Sequence, residues 1–355
     1  LSPTIAVLIV SCPCALSLAT PATITAAIGR LMQEGIVVSR TTALESLHRL
    51  ELLFFDKTGT LTEGKLRLQQ HTVIDPARDQ QHFQVCSAIE QHSEHPIARV
   101  FTAFESSLVA TEVQNTPGKG LSAHVDSTRW YLGTPEYIQE QTGQALASSL
   151  RDSYRGQTLV VLAHPGGIVA LYGLADTLRD EAPALISWLK KRGIRTAMLT
   201  GDQQDAAELI ADEVGIDQVY AGQLPADKLS VVQQAQQHSS GKKIVGMVGD
   251  GVNDAAVLAA ADCAIATQGA AALASAGSDI LLLTPRMSAI RTAIETADKT
   301  NRIIRQNLIW ASSYNLLAIP AAAMGYVPPW AAAVGMSLSS LLVILNALRL
   351  KKRQA

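Results

Sequence analysis

Two long stretches of this sequence carry no charged residue, Leu1 to Gly29 and Asn307 to Leu348. Crossing the hydrocarbon of a bilayer takes about 20 mostly apolar residues, so the first stretch can hold one membrane helix and the second can hold two. A break at GYVPP, Gly325 to Pro329, divides the second into helices over roughly Asn307 to Met324 and Trp330 to Leu348. Arg30, Arg40, Arg302, Arg305, Lys351, Lys352 and Arg353 flank the two stretches, whereas the GYVPP turn has no basic residue. The positive-inside rule then puts both the middle of the chain and its C-terminus on the cytoplasmic side. The expected architecture is a soluble body between lipid-embedded helices.

Only 17% of the 355 residues are charged and the net charge is −2, which argues against a nucleic-acid partner because phosphate backbones draw on clustered Lys and Arg. The first stretch lacks the charged start and small-residue cleavage site of a signal peptide, and the sequence begins with Leu1. The expectation is a piece that opens close to the start of a membrane helix. Of the four cysteines, Cys12 and Cys14 lie in the first apolar stretch and Cys86 and Cys263 in the body, a usage that implies reduced thiols.

In the body, LELLFFDKTGT (Leu50 to Thr60), RTAMLTGD (Arg195 to Asp202) and KIVGMVGDG (Lys243 to Gly251) are apolar runs ending in Asp, Gly and Thr. Such runs read as buried parallel strands, and the patterns DAAELIADEV and DAAVLAAADC between and after them read as helices. Strands alternating with helices imply a doubly wound α/β sheet with its site at the carboxyl ends of the strands. More than a hundred residues separate the first two strands, too many for one crossover, so residues 64–173 are expected to form an inserted α+β domain. Within it, TLVVLAHPGGIVALYGL reads as a hairpin turning at HPGG. The expected domains are 1–48 (first membrane helix), 49–63 and 174–300 (the α/β domain in two parts), 64–173 (the insert) and 301–355 (two membrane helices and a basic end).

DKTGT puts the carboxylate of Asp56 at a strand end with Gly59 free to turn sharply, and Asp250 in GDGVND arrives at another strand end. Two such carboxylates with a phosphate suit Mg²⁺, and the Asp56 carboxylate is also a nucleophile able to take a phosphoryl group. Thr200 and the Gly201 amide would hold phosphoryl oxygens, with Lys228 of LPADK neutralising developing charge. DKTGTLT, TGD and GDGVND in this order resemble the P-type ATPases, and the resemblance covers nearly the whole chain. It implies a haloacid-dehalogenase-like phosphorylation domain with an inserted nucleotide-binding domain, using ATP and Mg²⁺. Residue by residue, it implies that Asp56 is the phosphorylated nucleophile, with Lys57, Thr58 and Gly59 shaping its pocket. Thr200, Gly201, Asp202 and Lys228 would handle phosphate, Asp250 would bind Mg²⁺, and Asn253 and Asp254 would complete the hinge motif.

SEHPIA resembles the His-Pro signature of the heavy-metal branch, which implies that His95 and Pro96 orient ATP. Glu90, Gly118 and Gly120 match positions contacting adenine and phosphate. Gly133 matches the family's Gly-Asn pair, but Thr134 stands where Asn is usual.

The cysteines of SCPCALSLATPA are too closely spaced for an unstrained disulfide and are not a CxxC pair. Two thiolates beside Pro13 would form a soft site for Cu(I) or Zn²⁺, and polar groups at membrane depth are costly unless they function. Tyr314-Asn315, with Met336 and Ser340 one helical turn apart, resembles the copper-transporting branch; the thioether suits Cu(I), and neither helix offers a carboxylate. The resemblance thus implies a multi-pass pump of the bacterial cytoplasmic (inner) membrane that exports Cu⁺, served by a cytosolic copper chaperone. The family's TGE-type actuator motif and earlier helices are absent from this sequence, so the chain is expected to need that N-terminal part of the same pump for turnover. Competing expectations are Zn or Cd export, a soluble phosphatase of the same superfamily, and a non-catalytic copper-binding fragment.

Overall fold

The computed structural model describes residues 2–12, 14–93, 95–202, 204–237, 244–250, 254–267 and 277–351. In chain order, α1 (Ser2–Val10), α2 (Cys14–Gln33), β1 (Ile36–Val38), α3 (Ala43–His48) and β2 (Leu50–Asp56) come first. They are followed by β3 (Thr62–Val73), α4 (Asp79–Glu90), α5 (Ala98–Phe101), β4 (Ala110–Thr116), β5 (Gly120–Val125), β6 (Thr128–Gly133), α6 (Pro135–Thr142) and α7 (Ser148–Asp152). Next come β7 (Thr158–His164), β8 (Gly167–Leu178), α8 (Ala182–Lys191), β9 (Arg195–Leu199), α9 (Gln204–Val214), β10 (Gln218–Tyr220) and α10 (Pro225–Gln237). The chain continues through β11 (Ile244–Gly249), α11 (Ala255–Ala260), β12 (Cys263–Ala266), β13 (Ile280–Leu282), α12 (Ser288–Ala323) and α13 (Pro329–Leu348). These elements fall into two compact units, Leu1–Asp56 with Glu181–Ala197 and Leu224–Ala355, and Lys57–Asp180 with Met198–Gln223.

The first unit holds a sheet in the order β1-β13-β12-β11-β2, with the opening residues of β9 beyond β2. β13, β12, β11 and β2 run parallel, and β1 closes the edge antiparallel to β13. β2 is LELLFFD with every residue but Glu51 buried, as a strand covered on both faces requires. Its register with β11 pairs Phe55 with Val248, so Asp56 and Asp250 leave the carboxyl ends of adjacent parallel strands. This is the α/β architecture expected from the sequence.

The same unit contains an apolar helical bundle. Ala6 and Val10 of α1 pack with Ala322 and Ala332, and Ala15 and Ala19 of α2 pack with Ala311 and Val343. Small residues let these helices approach closely where no water drives them together. Asn307 is buried among them: its amide donates to the Thr23 hydroxyl (3.4 Å) and the Val343 carbonyl (3.3 Å), and its Oδ1 accepts from Asn346 (2.9 Å). Outward-facing Leu316, Leu317 and Trp330 are 75%, 74% and 72% exposed, an apolar surface that water would not tolerate but lipid would.

Among the described residues, Pro3–Gln33 and Pro329–Leu348 are long and apolar enough by composition alone to cross a membrane. The segment from Asn307 to Met324 carries no charge; Asn307, Ser312, Ser313, Tyr314 and Asn315 lower its hydropathy, yet Ala322 packs in the same bundle and Leu316 and Leu317 face outward. One expectation needs correction: no helix begins near Asn307, because α12 starts at Ser288 and runs unbroken into the apolar stretch. No proline or glycine interrupts it before Pro320, near its end.

The second unit contains a six-stranded antiparallel sheet in the order β3-β8-β7-β6-β5-β4. β7 and β8 form the hairpin turning at Pro165-Gly166, with His164 opposite Gly167. One cluster unites Phe83, Cys86 and Ile89 of α4 and Phe101 of α5 with Trp130, Leu162 and Tyr172; another unites Tyr137 and Ile138 of α6 with Tyr131 and Val161. Alternate strand residues thus feed different clusters, in line with the period-two pattern of the sequence.

Asn307→Ala removes the amide that ties α12 to α2 and α13. It is expected to cost about 1 kcal/mol, the scale of interhelical hydrogen bonds in lipid, read as a lower unfolding midpoint in detergent.

Candidate functional site

Asp56, Lys228 and Asp254 meet in the first unit. Lys228 lies in the first turn of α10, and its Nζ donates to Asp56 Oδ1 (2.7 Å) and Asp254 Oδ1 (2.9 Å). All three are buried, with exposures of 7%, 7% and 2%. Asp254 stands at the N-cap of α11, yet its side chain makes no capping bond and turns to Lys228 instead. Desolvation by burial, then the neighbouring Asp254, push the Asp56 carboxyl up to about 7, and Lys228 only partly offsets them. Burial alone would lower the Lys228 ammonium, but Asp56 and Asp254 outweigh it and raise it. A single lysine thus faces two buried carboxylates, leaving an excess of negative charge when both are ionised.

That excess and the oxygen-only donors of Asp56 and Asp250, at adjacent strand ends, fit a hard divalent cation such as Mg²⁺. Among the described residues no cluster of three or more His, Cys, Asp or Glu forms a metal cage. Asn253 lies outside the described residues.

The other phosphate-handling candidates fall in the second unit. Lys57 pairs with the Asp202 carboxylate. The Thr200 hydroxyl oxygen accepts from the Asp202 amide (3.1 Å), which leaves its own hydrogen available to a ligand. The Thr200 amide donates to the Tyr220 carbonyl (3.0 Å) and the Gln223 amide to the Thr200 carbonyl (3.0 Å), so β10 and the loop after it pin this segment. Gly201 lies between these anchored residues. In the DKTGT turn, Thr58 is extended (φ −75°, ψ 127°) and Gly59 takes a left-handed φ of 71°.

Sequence reading missed the residues that hold this turn. Thr62 Oγ1 lies 2.5 Å from Asp176 Oδ2 and accepts from the Gly59 amide (3.3 Å). Arg179 donates to the Thr60 and Gly59 carbonyls at 2.9 and 3.2 Å. Thr62 and Asp176 lie on paired strands more than a hundred residues apart in sequence, so no local signal could have joined them.

A cavity of about 620 Å³ in the second unit is lined by all six predicted nucleotide residues, Glu90, His95, Pro96, Gly118, Gly120 and Gly133. Glu90 is 5% exposed and its Oε2 has no hydrogen-bond partner. Desolvation raises its carboxyl to about 7 against a hydrogen bond from Ser93. A buried, unmatched oxygen on a cavity wall is a vacancy for an N–H donor such as an adenine amine. His95 Nδ1 accepts from the Ile97 amide (3.3 Å), so in the neutral ring Nε2 carries the hydrogen and can donate to a ligand.

The glycines have a second role. Gly120 and Gly133 are opposed across β5 and β6, and a Cβ on either would lie 2.7 Å from the other's Cα. Gly118 differs: its φ of +73° favours glycine, although a Cβ there would meet nothing within 4 Å. Thr134, in place of the usual Asn, accepts from the Tyr137 amide (3.2 Å) and caps α6. Asn and Thr both serve as N-caps, which accounts for the departure from the family pattern.

At the membrane end, the structure brings the sulfurs of Cys12 and Cys14 together, with Cα atoms 5.6 Å apart. α1 ends at Val10 and α2 begins at Cys14, so the pair falls at a helix break instead of within a regular helix. Pro13 lies outside the described residues. Tyr314, Asn315, Met336 and Ser340 are half-buried in the bundle. The Tyr314 hydroxyl abuts Gly335, beside Met336, where an added Cβ would come within 2.6 Å. The Ser340 hydroxyl donates to the Met336 carbonyl (3.1 Å).

A family model for haloacid dehalogenase-like hydrolases matches residues 50–262. The chain is 38% identical to copper-exporting P-type ATPases of Staphylococcus haemolyticus (strain JCSC1435) and Staphylococcus aureus (strain Newman), over 98% of its own length and 44% of theirs. It therefore spans under half the length of these curated relatives. Among solved structures it resembles a zinc-transporting PIB-type ATPase in the E2·Pi state, with a TM-score of 0.87 and 31% identity over 97% of this chain and 57% of that one. The catalytic domain of the CPx-ATPase CopB-B shares the fold, with a TM-score of 0.61 at 22% identity over 76% of this chain and 98% of that one.

Two outcomes follow. The folded Asp56 pKa of about 7 lies above its ordinary 3.8, so the folded state holds the proton more tightly, and this group lowers stability as pH rises from about 4 to about 7. In thermal melts without Mg²⁺, Asp56→Asn should raise the midpoint, by more near pH 8 than near pH 5. Gly133→Ala forces β5 and β6 apart and should cost roughly 1–3 kcal/mol of stability, as overpacking does; calorimetry should show weakened adenine-nucleotide binding.

Proposed function

This chain belongs to the haloacid dehalogenase-like hydrolase family, and from that premise we propose that it is the catalytic and cargo-binding part of a P-type pump exporting Cu(I). The observation that carries the reading is the buried Asp56–Lys228–Asp254 constellation at the end of the central strand β2. A lone surface aspartate would be a poor site for covalent phosphorylation; a buried one held by a lysine is oriented before substrate arrives.

ATP enters the cavity of the second unit, its adenine amine satisfying Glu90 Oε2 and His95 Nε2–H donating to it. A carboxylate oxygen of Asp56 attacks the γ-phosphorus. The bond from that phosphorus to the bridging oxygen breaks, and ADP leaves with the electron pair. Lys228 offsets negative charge at Asp56, and Asp254 keeps its ammonium in place. The Thr200 hydroxyl and the Gly201 amide serve phosphoryl oxygens, with Lys57 anchored by Asp202 beside them. Asp56 and Asp250 would hold Mg²⁺, which when bound supplies positive charge against both the nucleophile and the phosphate.

The cargo would meet Cys12 and Cys14 as thiolates, together with Tyr314, Asn315, Met336 and Ser340. Soft sulfur ligands favour Cu(I), and the stretch from Asn307 to Leu348 offers no carboxylate. The curated relatives are named as copper exporters, which supports the same cargo. Zinc is the second reading, favoured by the likeness to a zinc-transporting ATPase.

The full-length pump, quenched with acid after exposure to radiolabelled ATP, should carry a hydroxylamine-labile phosphate that Asp56→Asn abolishes. Cu(I) should stimulate its ATPase, and Cys12→Ser with Cys14→Ser should remove the stimulation. Stimulation by Zn²⁺ alone would select zinc, and labelling of Asp56→Asn would refute the nucleophile.

A further inference from the structure

A second cavity, of about 450 Å³, lies in the first unit where α12 passes from charged to uncharged sequence. His48, Arg192, Asp298, Arg302, Arg305 and Ile309 line it. Asp298 is already engaged: His48 Nδ1 lies 2.7 Å from its Oδ1, and Arg192 pairs with its Oδ2. The Arg192 guanidinium also lies over the Trp188 ring, 5.0 Å from its centroid, so this corner is fixed. Arg302 and Arg305 share a face at i and i+3, and among the described residues neither is paired with an acid. The cavity therefore holds one matched ion pair and two guanidiniums whose charge nothing on the wall balances.

Its position narrows the ligand. Ile309, one turn beyond Arg305 on the same helix face and just inside the uncharged stretch, is 63% exposed, so an apolar side chain adjoins the two cationic ones along one edge of the cavity. A phosphoryl anion would satisfy the two arginines through charge-assisted hydrogen bonds, with Asn301 and Gln306 beside them as neutral partners. An apolar edge next to a phosphate site suits a ligand carrying an acyl chain.

We propose that this cavity binds the phosphate headgroup of an anionic membrane lipid, with Arg302 and Arg305 as its ligands and the acyl chains lying along Ile309. The assignment rests on the membrane reading of α12. The bound lipid anchors α12 at the bilayer surface directly beside α3 and α8, which carry His48 and lead to Arg192.

The test uses the whole chain in neutral detergent, mixed with equal amounts of phosphatidylglycerol and phosphatidylcholine and weighed by native mass spectrometry. Phosphatidylglycerol adducts should dominate in the wild type. Replacing both arginines, Arg302→Gln with Arg305→Gln, should reduce the preference by roughly 25-fold, since each basic group near an anionic surface is worth about fivefold. Arg302→Lys with Arg305→Lys should retain much of it, showing that lost charge and not lost folding is responsible. Equal retention of the two lipids, or an undiminished preference in the double Gln variant, would overturn the site. Displacement of phosphatidylglycerol by an equal concentration of inorganic phosphate would assign the cavity to soluble phosphate and overturn the lipid. A chain that stays monomeric without detergent and takes up neither lipid would refute the membrane reading itself.

Discussion

One lysine between two buried carboxylates is the constraint on which the rest of this structure turns. Asp56 ends β2, the strand whose continuous burial makes it part of the sheet's core, and Lys228 and Asp254 are brought to it from two different helices. Burying three ionisable groups is costly unless they satisfy one another, and two acids against one base do not fully balance. The parallel sheet carries that cost because it fixes the strand ends rigidly. Under the proposed function, that imbalance is what a divalent cation would offset.

The cavity proposed for nucleotide is governed by a different rule, close backbone approach. Gly120 and Gly133 let β5 and β6 come together at the cavity wall, and Thr134 turns the chain out of β6 into α6 by capping it. Glu90 then stands buried with one oxygen unmatched. Shape there comes from glycine and a cap, and polarity from a single carboxylate.

Much of this was legible in the sequence because it is encoded locally. Apolar runs ending in DKTGT, TGD and GDG marked strand ends, HPGG marked the hairpin, and the long gap between the first two strands marked an insert. What was hidden is non-local or depends on tertiary packing. Thr62, Asp176 and Arg179, which lock the DKTGT turn, lie on segments far apart in sequence. The start of α12 at Ser288 was hidden because its charged first half and uncharged second half read as different segments, although nothing interrupts the helix. The partnership of Gly120 with Gly133 depends on strand register, which composition does not reveal.

The most direct test of the central claim is the single-turnover rate of phosphoryl transfer from ATP to Asp56 in the full-length pump, compared between the wild type and Lys228→Ala. Loss of the Lys228 ammonium beside the nucleophile should slow transfer by roughly 10²–10³-fold, the scale of removing a preorganised charge-stabilising group. Nucleotide affinity should be unchanged, because Lys228 does not line the nucleotide cavity. A wild-type transfer rate in Lys228→Ala would contradict the account.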